Sequence, residues 1–233
     1  MVPENGGRLD LLVTKNLRIA LIHATPLAVQ PVNEAFAADW PEATVCNLLE
    51  DSLAPDLARA GQLMPAMITR FERLAGYARD CGANGILFTC SAFGPAIESA
   101  AKSVAPLLTL KPNEAMFRDA LKTYKHVGMI ATFAASLPPM EREFHHMAEQ
   151  AGIDVKLESV LAAGAMEALA DGHAERHNQM IADAARTLVH CDALMLAQFS
   201  MAQAKTDISR FYERPVLTSP ASAIAALKQG LLG

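Results

Sequence analysis

Several features are scarce in this 233-residue sequence, and each scarcity narrows the function. Lysine and arginine do not cluster with interleaved aromatics, and the formal net charge is −5. The basic footprint that nucleic-acid phosphates require is therefore missing. No apolar run reaches the ~18 residues of a membrane span. The opening MVPENGGRLD has neither the charged n-region nor the apolar h-region of a signal peptide. A cytoplasmic protein is expected, with small molecules rather than nucleic acid or membrane as partners. Cysteine occurs four times, at Cys46, Cys81, Cys90 and Cys191, with no CxxC pair. Reduced thiols are expected, not a disulfide scaffold or a cysteine zinc site. The i, i+4 pair His173 and His177 lies in DGHAERHNQ, where Glu175 is not placed as in HExxH. That segment reads as the polar start of a helix with a solvated face, and neither a metal nor a cofactor is expected.

What remains is an ordinary globular composition, 52% hydrophobic and 19% charged, long enough for one large domain or two lobes of roughly 100 residues. Short β-rich runs alternate with Ala-rich segments of helical period, the pattern of parallel βα units. The runs fall at 17–23, 43–49, 85–89, 106–110, 126–132, 154–160, 192–197 and 215–219. Helices are predicted at 27–38, 62–81, 93–103, 112–123, 137–151, 165–189 and 219–230.

The halves also repeat. A shift of about 108 positions lays RIALIHAT (18–25) over HVGMIATF (126–133), and the same shift lays GILFTCS (85–91) over ALMLAQF (193–199). The fold class expected is α/β, with two pseudo-symmetric lobes, each a four-stranded parallel sheet flanked by helices. Residues 1–110 with 219–233 would form the first lobe and 111–218 the second. Ligands of such sheets bind beyond the carboxyl ends of the strands, so the cleft between the lobes is the expected site.

Cys90 stands at that edge, in GILFTCSAFGPAIESA (85–100), directly after a strand and just before a helix. A helix N-terminus stabilises thiolate and would lower the thiol pKa from about 8.5. Free cysteines commonly behave as small buried hydrophobes. That reading suits Cys46, Cys81 and Cys191, none of which ends a strand. Cys90 is read instead as a functional group and the most reactive thiol of the four.

The segment TCSAFGPAIE resembles the first catalytic-cysteine segment of the aspartate/glutamate racemase superfamily, which includes aspartate, glutamate and hydantoin racemases, maleate isomerases and arylmalonate decarboxylases. LIHATPLAVQPVNEAF is similar to that family's first strand and loop, and VGMIATFAAS to the strand and Thr-containing loop opening its second half. The resemblance runs from about residue 17 to the end. It implies the two-lobed fold and cofactor-independent chemistry beside a carboxylate. Removing that proton creates an enolate, which needs a base on one face, hydrogen-bond donors for the charge, and an acid on the other face for inversion. In the family, two thiols, one from each lobe, do this. Cys90 matches the first, whereas Gln198, in LAQFSMA, stands where the second would be. An amide donates hydrogen bonds but cannot act as a proton reservoir near neutral pH. Cys191 cannot substitute, since it precedes the same strand and lies near 20 Å away at ~3.3 Å per residue.

His23, at the carboxyl end of the first strand, is the candidate for the missing proton shuttle. The hydroxyls of Thr25, Ser91, Thr132 and Ser136 lie in strand-end loops, where the resemblance implies they bind a substrate carboxylate. Helix N-capping is the alternative for each of them. Phe199 and Ser200 follow Gln198 and are placed around the substrate with them. The expected protein is a racemase or isomerase of a small carboxylate, acting as a dimer or tetramer. A decarboxylase of an activated malonate and a non-catalytic small-molecule-binding protein are the alternatives.

Overall fold

A computed structural model describes residues 16–233, and the opening MVPENGGRLD lies outside the described residues. The first half contains β1 (Arg18–His23), α1 (Val29–Asp39), β2 (Thr44–Leu49), α2 (Leu53–Ala60), α3 (Pro65–Asp80), β3 (Gly85–Phe88), α4 (Gly94–Ser103) and β4 (Leu108–Leu110). The second half contains α5 (Glu114–Thr123), β5 (His126–Ala131), α6 (Leu137–Ala151), β6 (Lys156–Leu161), α7 (Ala165–Ala170), α8 (Ala174–Arg186), β7 (Ala193–Leu196), α9 (Lys205–Ile208), β8 (Val216–Thr218) and α10 (Ser219–Leu232).

All eight expected strands form, in two parallel sheets of order β2-β1-β3-β4 and β6-β5-β7-β8. The repeat is structural. Ile22 pairs with Phe88 in the first sheet, and the residues 108 positions on, Ile130 and Leu196, pair in the second. The strands enter alike as well: the Arg18 backbone N–H donates to Asn84 Oδ1 at 2.8 Å, and the His126 N–H donates to Asp192 Oδ2 at 2.9 Å. Alternation along β1 sends Ala20 and Ile22 towards Phe71 of α3 and Ile97 of α4, and Ile19 and Leu21 towards Phe36 of α1 and Leu227 of α10. In the second sheet Val127 and Met129 face Phe117 of α5 and Phe144 of α6, while Ile130 and Leu194 face Ile181 of α8. Helices thus cover both faces of each sheet, which is why the strands read as nearly continuous apolar runs.

The predicted helix at 165–189 is two helices. The chain breaks at Gly172, whose φ of 83° lies in the left-handed region that favours glycine. The break reorients the histidines: His173 is exposed, but His177 is buried, with Nδ1 bonded to Asn178 Oδ1 at 2.9 Å, so the pair does not share a solvated face. Helices α2 and α9 were not expected. Neither exceeds 8 residues, too short for its period to show in the sequence. α10 packs on α1, β3 and β4 of the first half and also on α5 and β8 of the second. At its start Ser219 Oγ lies 2.6 Å from Asn113 Oδ1 and 3.1 Å from the Leu196 carbonyl, a buried tie between α10 and the starts of α5 and the β7 exit.

Candidate active site

In each sheet the connections leave the two central strands in opposite directions, β1 towards β2 and β3 towards β4, with β5 and β7 repeating the pattern. Such reversals open a crevice at the carboxyl ends of the central strands. Four short 3-10 turns follow these strands: Pro26–Ala28 after β1, Ser91–Phe93 after β3, Ala134–Ser136 after β5 and Phe199–Ala204 after β7. They meet crosswise. The turn after β3 packs on the turn after β5, and the turn after β1 packs on the turn after β7. Exchanging the halves maps one contact onto the other, as a pseudo-twofold requires.

Cys90 and Gln198 occupy equivalent places in this arrangement. Each is the extended residue that opens its turn, with φ −119° and ψ 116° at Cys90 and φ −121° and ψ 148° at Gln198. Their side chains are held differently. Gln198 Oε1 accepts the Thr132 backbone N–H at 2.9 Å, and its Nε2 donates to Ser136 Oγ, also at 2.9 Å. Ser136 Oγ in turn donates to the Phe133 carbonyl at 2.7 Å. The backbone donor fixes which end of the amide is oxygen. One Nε2–H remains beyond the Ser136 bond, so the amide is a positioned donor without a transferable proton.

Cys90 has no such network. Cys90 packs against the first-half core cluster that contains Phe71, Phe88 and Phe93, whose neighbouring ring centroids lie 5.3 and 4.9 Å apart. Burial pushes the thiol pKa up to about 11, and the backbone hydrogen bond from Ala92 acts weakly the other way. This reverses the expectation of a thiolate favoured by a helix N-terminus. The physical reason is local: α4 begins only at Gly94, and Cys90 packs against the apolar core of the first half. Cys90 is a neutral thiol at pH 7. Cys81 is the exposed cysteine, and Cys90 is half-buried.

His23 also departs from expectation. It is 0% exposed, and both ring nitrogens are engaged inside the protein, Nδ1 with Thr89 Oγ1 and Nε2 with Asn47 Oδ1, each at 2.9 Å. Asn47 Nδ2 donates to Asn33 Oδ1 at 3.2 Å, which turns Asn47 Oδ1 towards the ring and assigns the imidazole proton to Nε2. Burial lowers the His23 pKa, with the Asn47 bond acting in the opposite direction. The ring is a neutral bracket between β1, β2 and Thr89, the residue before Cys90. It has no nitrogen left to shuttle protons in the cleft.

The remaining candidates divide. Thr132 and Ser136 join Gln198 directly, and Ser91 lies in the turn that packs on Ala134–Ser136. Thr25 caps its own turn, accepting the Leu27 N–H at 3.4 Å, as the capping alternative anticipates. Phe199 packs into the core. At 1% exposure it inserts from the second half among Leu21, Val32 and Phe36 of the first. Ser200, beside it, is buried too.

At the other seam the molecule is open. A cavity of about 880 Å³ is lined by Ser91, Ala92, Gly94 and Pro95 of the first half, Lys111 beyond β4, and Arg118, Arg142 and His146 on α5 and α6. Lys111 bridges Glu98 on α4 at 3.0 Å and Glu143 on α6 at 2.7 Å. Burial acts to lower its pKa, but the two carboxylates outweigh it, and the net shift is upward. Sequence reading missed this strand-end cation because it sought an arginine. Its place directly after PLLTL was the available signal.

No protein-family model matches the sequence, and no curated protein does. Solved structures do match. A glutamate racemase from Francisella tularensis in complex with D-glutamate is 15% identical, with a TM-score of 0.66 over 93% of this chain and 81% of its own. An allantoin racemase from Klebsiella pneumoniae is 16% identical, with a TM-score of 0.68 over 91% and 86%. A mutant of arylmalonate decarboxylase in a sulfate-associated form is 16% identical, with a TM-score of 0.62 over 91% and 92%. The chain has the two-lobed α/β fold of these racemases and of arylmalonate decarboxylase.

Proposed function

We propose that the protein is a cofactor-independent isomerase with the racemase fold, which moves a proton at the carbon beside the carboxylate of a small substrate, with Cys90 as its acid/base. One observation carries this reading: Cys90 and Gln198 open equivalent turns at the carboxyl ends of β3 and β7, on either side of the pseudo-twofold. Stereoinversion by two bases needs a transferable proton on each side, and position 198 offers none. One-faced transfer, in which Cys90 takes the proton from one carbon of the enolate system and returns it on the same face to another, is therefore the form of isomerisation that fits. In it the free Nε2–H of Gln198 donates to the enolate oxygens as charge develops, and Cys90 carries the proton. A carboxylate arriving from the open seam meets Ser91 and the cations along the cavity wall. A cytoplasmic setting and a dimeric or tetrameric state belong to the same proposal.

A second reading, decarboxylation of an activated malonate, is favoured by the neutral state of the Cys90 thiol. Loss of carbon dioxide generates the enolate without any base, and only a proton donor is then required. Incubating dicarboxylates, amino acids, hydantoins and aryl malonates with the enzyme in D₂O separates the readings by NMR. Deuterium entering an isomerised or recovered compound supports the first. Carbon dioxide release supports the second. Saturable binding without turnover of any compound contradicts both.

A further inference from the structure

The amino ends of the second sheet carry a cluster that the proposed chemistry does not use. His126 opens β5, Glu158 lies in β6, and His190 and Cys191 precede β7. Both histidines turn Nε2 to the one carboxylate, His126 to Oε1 at 2.7 Å and His190 to Oε2 at 3.0 Å. One potential ligand atom from each of the four residues lies within 4.8 Å of the other three. We propose that these four side chains bind a divalent transition-metal ion of the zinc class.

The donor set is two imidazole nitrogens, one carboxylate oxygen and one thiolate, which zinc takes in tetrahedral sites with bonds of about 2.0–2.3 Å. Donors at the corners of such a tetrahedron sit about 3.3–3.8 Å apart, so closing the cluster requires side-chain shifts of about 1 Å. The backbone around it is already pinned. Arg214 donates to the His190 and Cys191 carbonyls at 3.0 and 2.6 Å, and the Tyr212 hydroxyl donates to the Cys191 carbonyl at 2.8 Å. Exposure is graded: Cys191 is buried at the floor, His126 and Glu158 are half-buried, and His190 is exposed at the mouth, where an ion would enter. Lys156 Nζ now stands 2.5 Å from Glu158 Oε1, and its own side chain is 64% exposed and free to swing away. Binding releases the Cys191 thiol proton and any imidazole proton to solvent, and the dication balances one thiolate and one carboxylate.

All four ligands come from the protein, and the cluster lies at the opposite end of β5 from Thr132, roughly 20 Å at ~3.3 Å per residue. The role is therefore structural: a clamp joining β5, β6 and the segment entering β7. The equivalent end of the first sheet has Arg18, Gly82 and Ala83 at the places of His126, His190 and Cys191, and no such set is possible there.

Purified full-length protein, stripped by a chelator, is titrated with Co²⁺ and then with Zn²⁺. The expected result is one equivalent of cobalt with a thiolate-to-metal charge-transfer band and d–d bands of tetrahedral intensity, both lost as zinc displaces it. Cys191→Ser should abolish the charge-transfer band. His190→Ala, a surface change that leaves folding intact, should weaken zinc binding at least about 100-fold, since even outer-shell partners cost 10–100-fold. Absence of the charge-transfer band in the wild type would overturn the site. So would a band that survives Cys191→Ser and disappears in Cys81→Ser, which would place the metal on the exposed thiol.

Discussion

The two seams between the halves are related by the pseudo-twofold and have opposite characters. Where the turn after β7 meets the turn after β1, Phe199 enters the first-half core and closes the contact. At the equivalent place, 108 positions earlier, the residue is Ser91, and that seam opens on the 880 Å³ cavity. The adjoining pair differs as sharply. Gln198 is locked by Thr132 and Ser136, whereas Cys90 packs against the apolar core, which raises its pKa to about 11. A repeated backbone thus carries two different seams: one is closed by Phe199, and the other opens on a cavity whose wall includes Ser91, the residue after Cys90.

Breaking the comparison at its chemical end should have the largest effect. Cys90→Ala should lower turnover of the compound found in the D₂O screen by about 10²–10⁴-fold, the usual contribution of an acid/base group, equivalent to about 3–5.5 kcal/mol of barrier. Steady-state rates at matched folded fraction check this. Next comes the closed seam. Phe199→Ala removes a large, fully buried side chain and should cost about 3–5 kcal/mol in urea unfolding. Gln198→Ala strands the Thr132 N–H and removes the donor to Ser136 Oγ, which keeps its bond to the Phe133 carbonyl, at about 1–3 kcal/mol by the same measurement. Ser91→Ala, at the open seam, should stay within about 0.5 kcal/mol. Equal costs for Phe199→Ala and Ser91→Ala would remove the distinction between the seams.

The thiols sharpen the comparison through pH. Cys90 is raised to about 11, so its folded-state thiolate fraction grows about tenfold per pH unit from neutrality until that value is approached. Iodoacetamide mapping at pH 8 should therefore find the exposed Cys81 modified before Cys90, with Cys90 labelling accelerating steeply towards pH 11. The sign for stability follows. An unfolded thiol ionises near 8.5–9, so the folded state loses relative stability as pH rises from there through about 11. Cys90→Ala should flatten part of that alkaline loss in pH-dependent melting.

Much of the architecture was legible because parallel strands covered on both faces are runs of apolar residues, and because one offset aligned two strands at once. The offset also located Cys90 and Gln198 as equivalents, since strand register survives even where side chains diverge. Side-chain surroundings were not legible. That His23 is enclosed by Asn47 and Thr89 depends on β2 and β3 flanking β1, and the pairing order is absent from a local pattern. The raised Cys90 pKa comes from burial against a core cluster whose members, Phe71 of α3 among them, are spread along the first half of the chain. Phe199 looked like a cleft residue because it follows Gln198, but successive residues there point to different halves of the molecule. The cluster of His126, Glu158, His190 and Cys191 spans more than sixty positions and has no motif spacing for a sequence search to find.

The most direct test of the one-faced account is the hand of the deuterium delivered from D₂O to the carbon beside the carboxylate, read by chiral NMR analysis of early-turnover product. The account predicts a single hand, because Cys90 on one side holds a transferable proton and Gln198 on the other does not. Equal amounts of both hands at the first turnovers would show a working acid on the Gln198 side and contradict it.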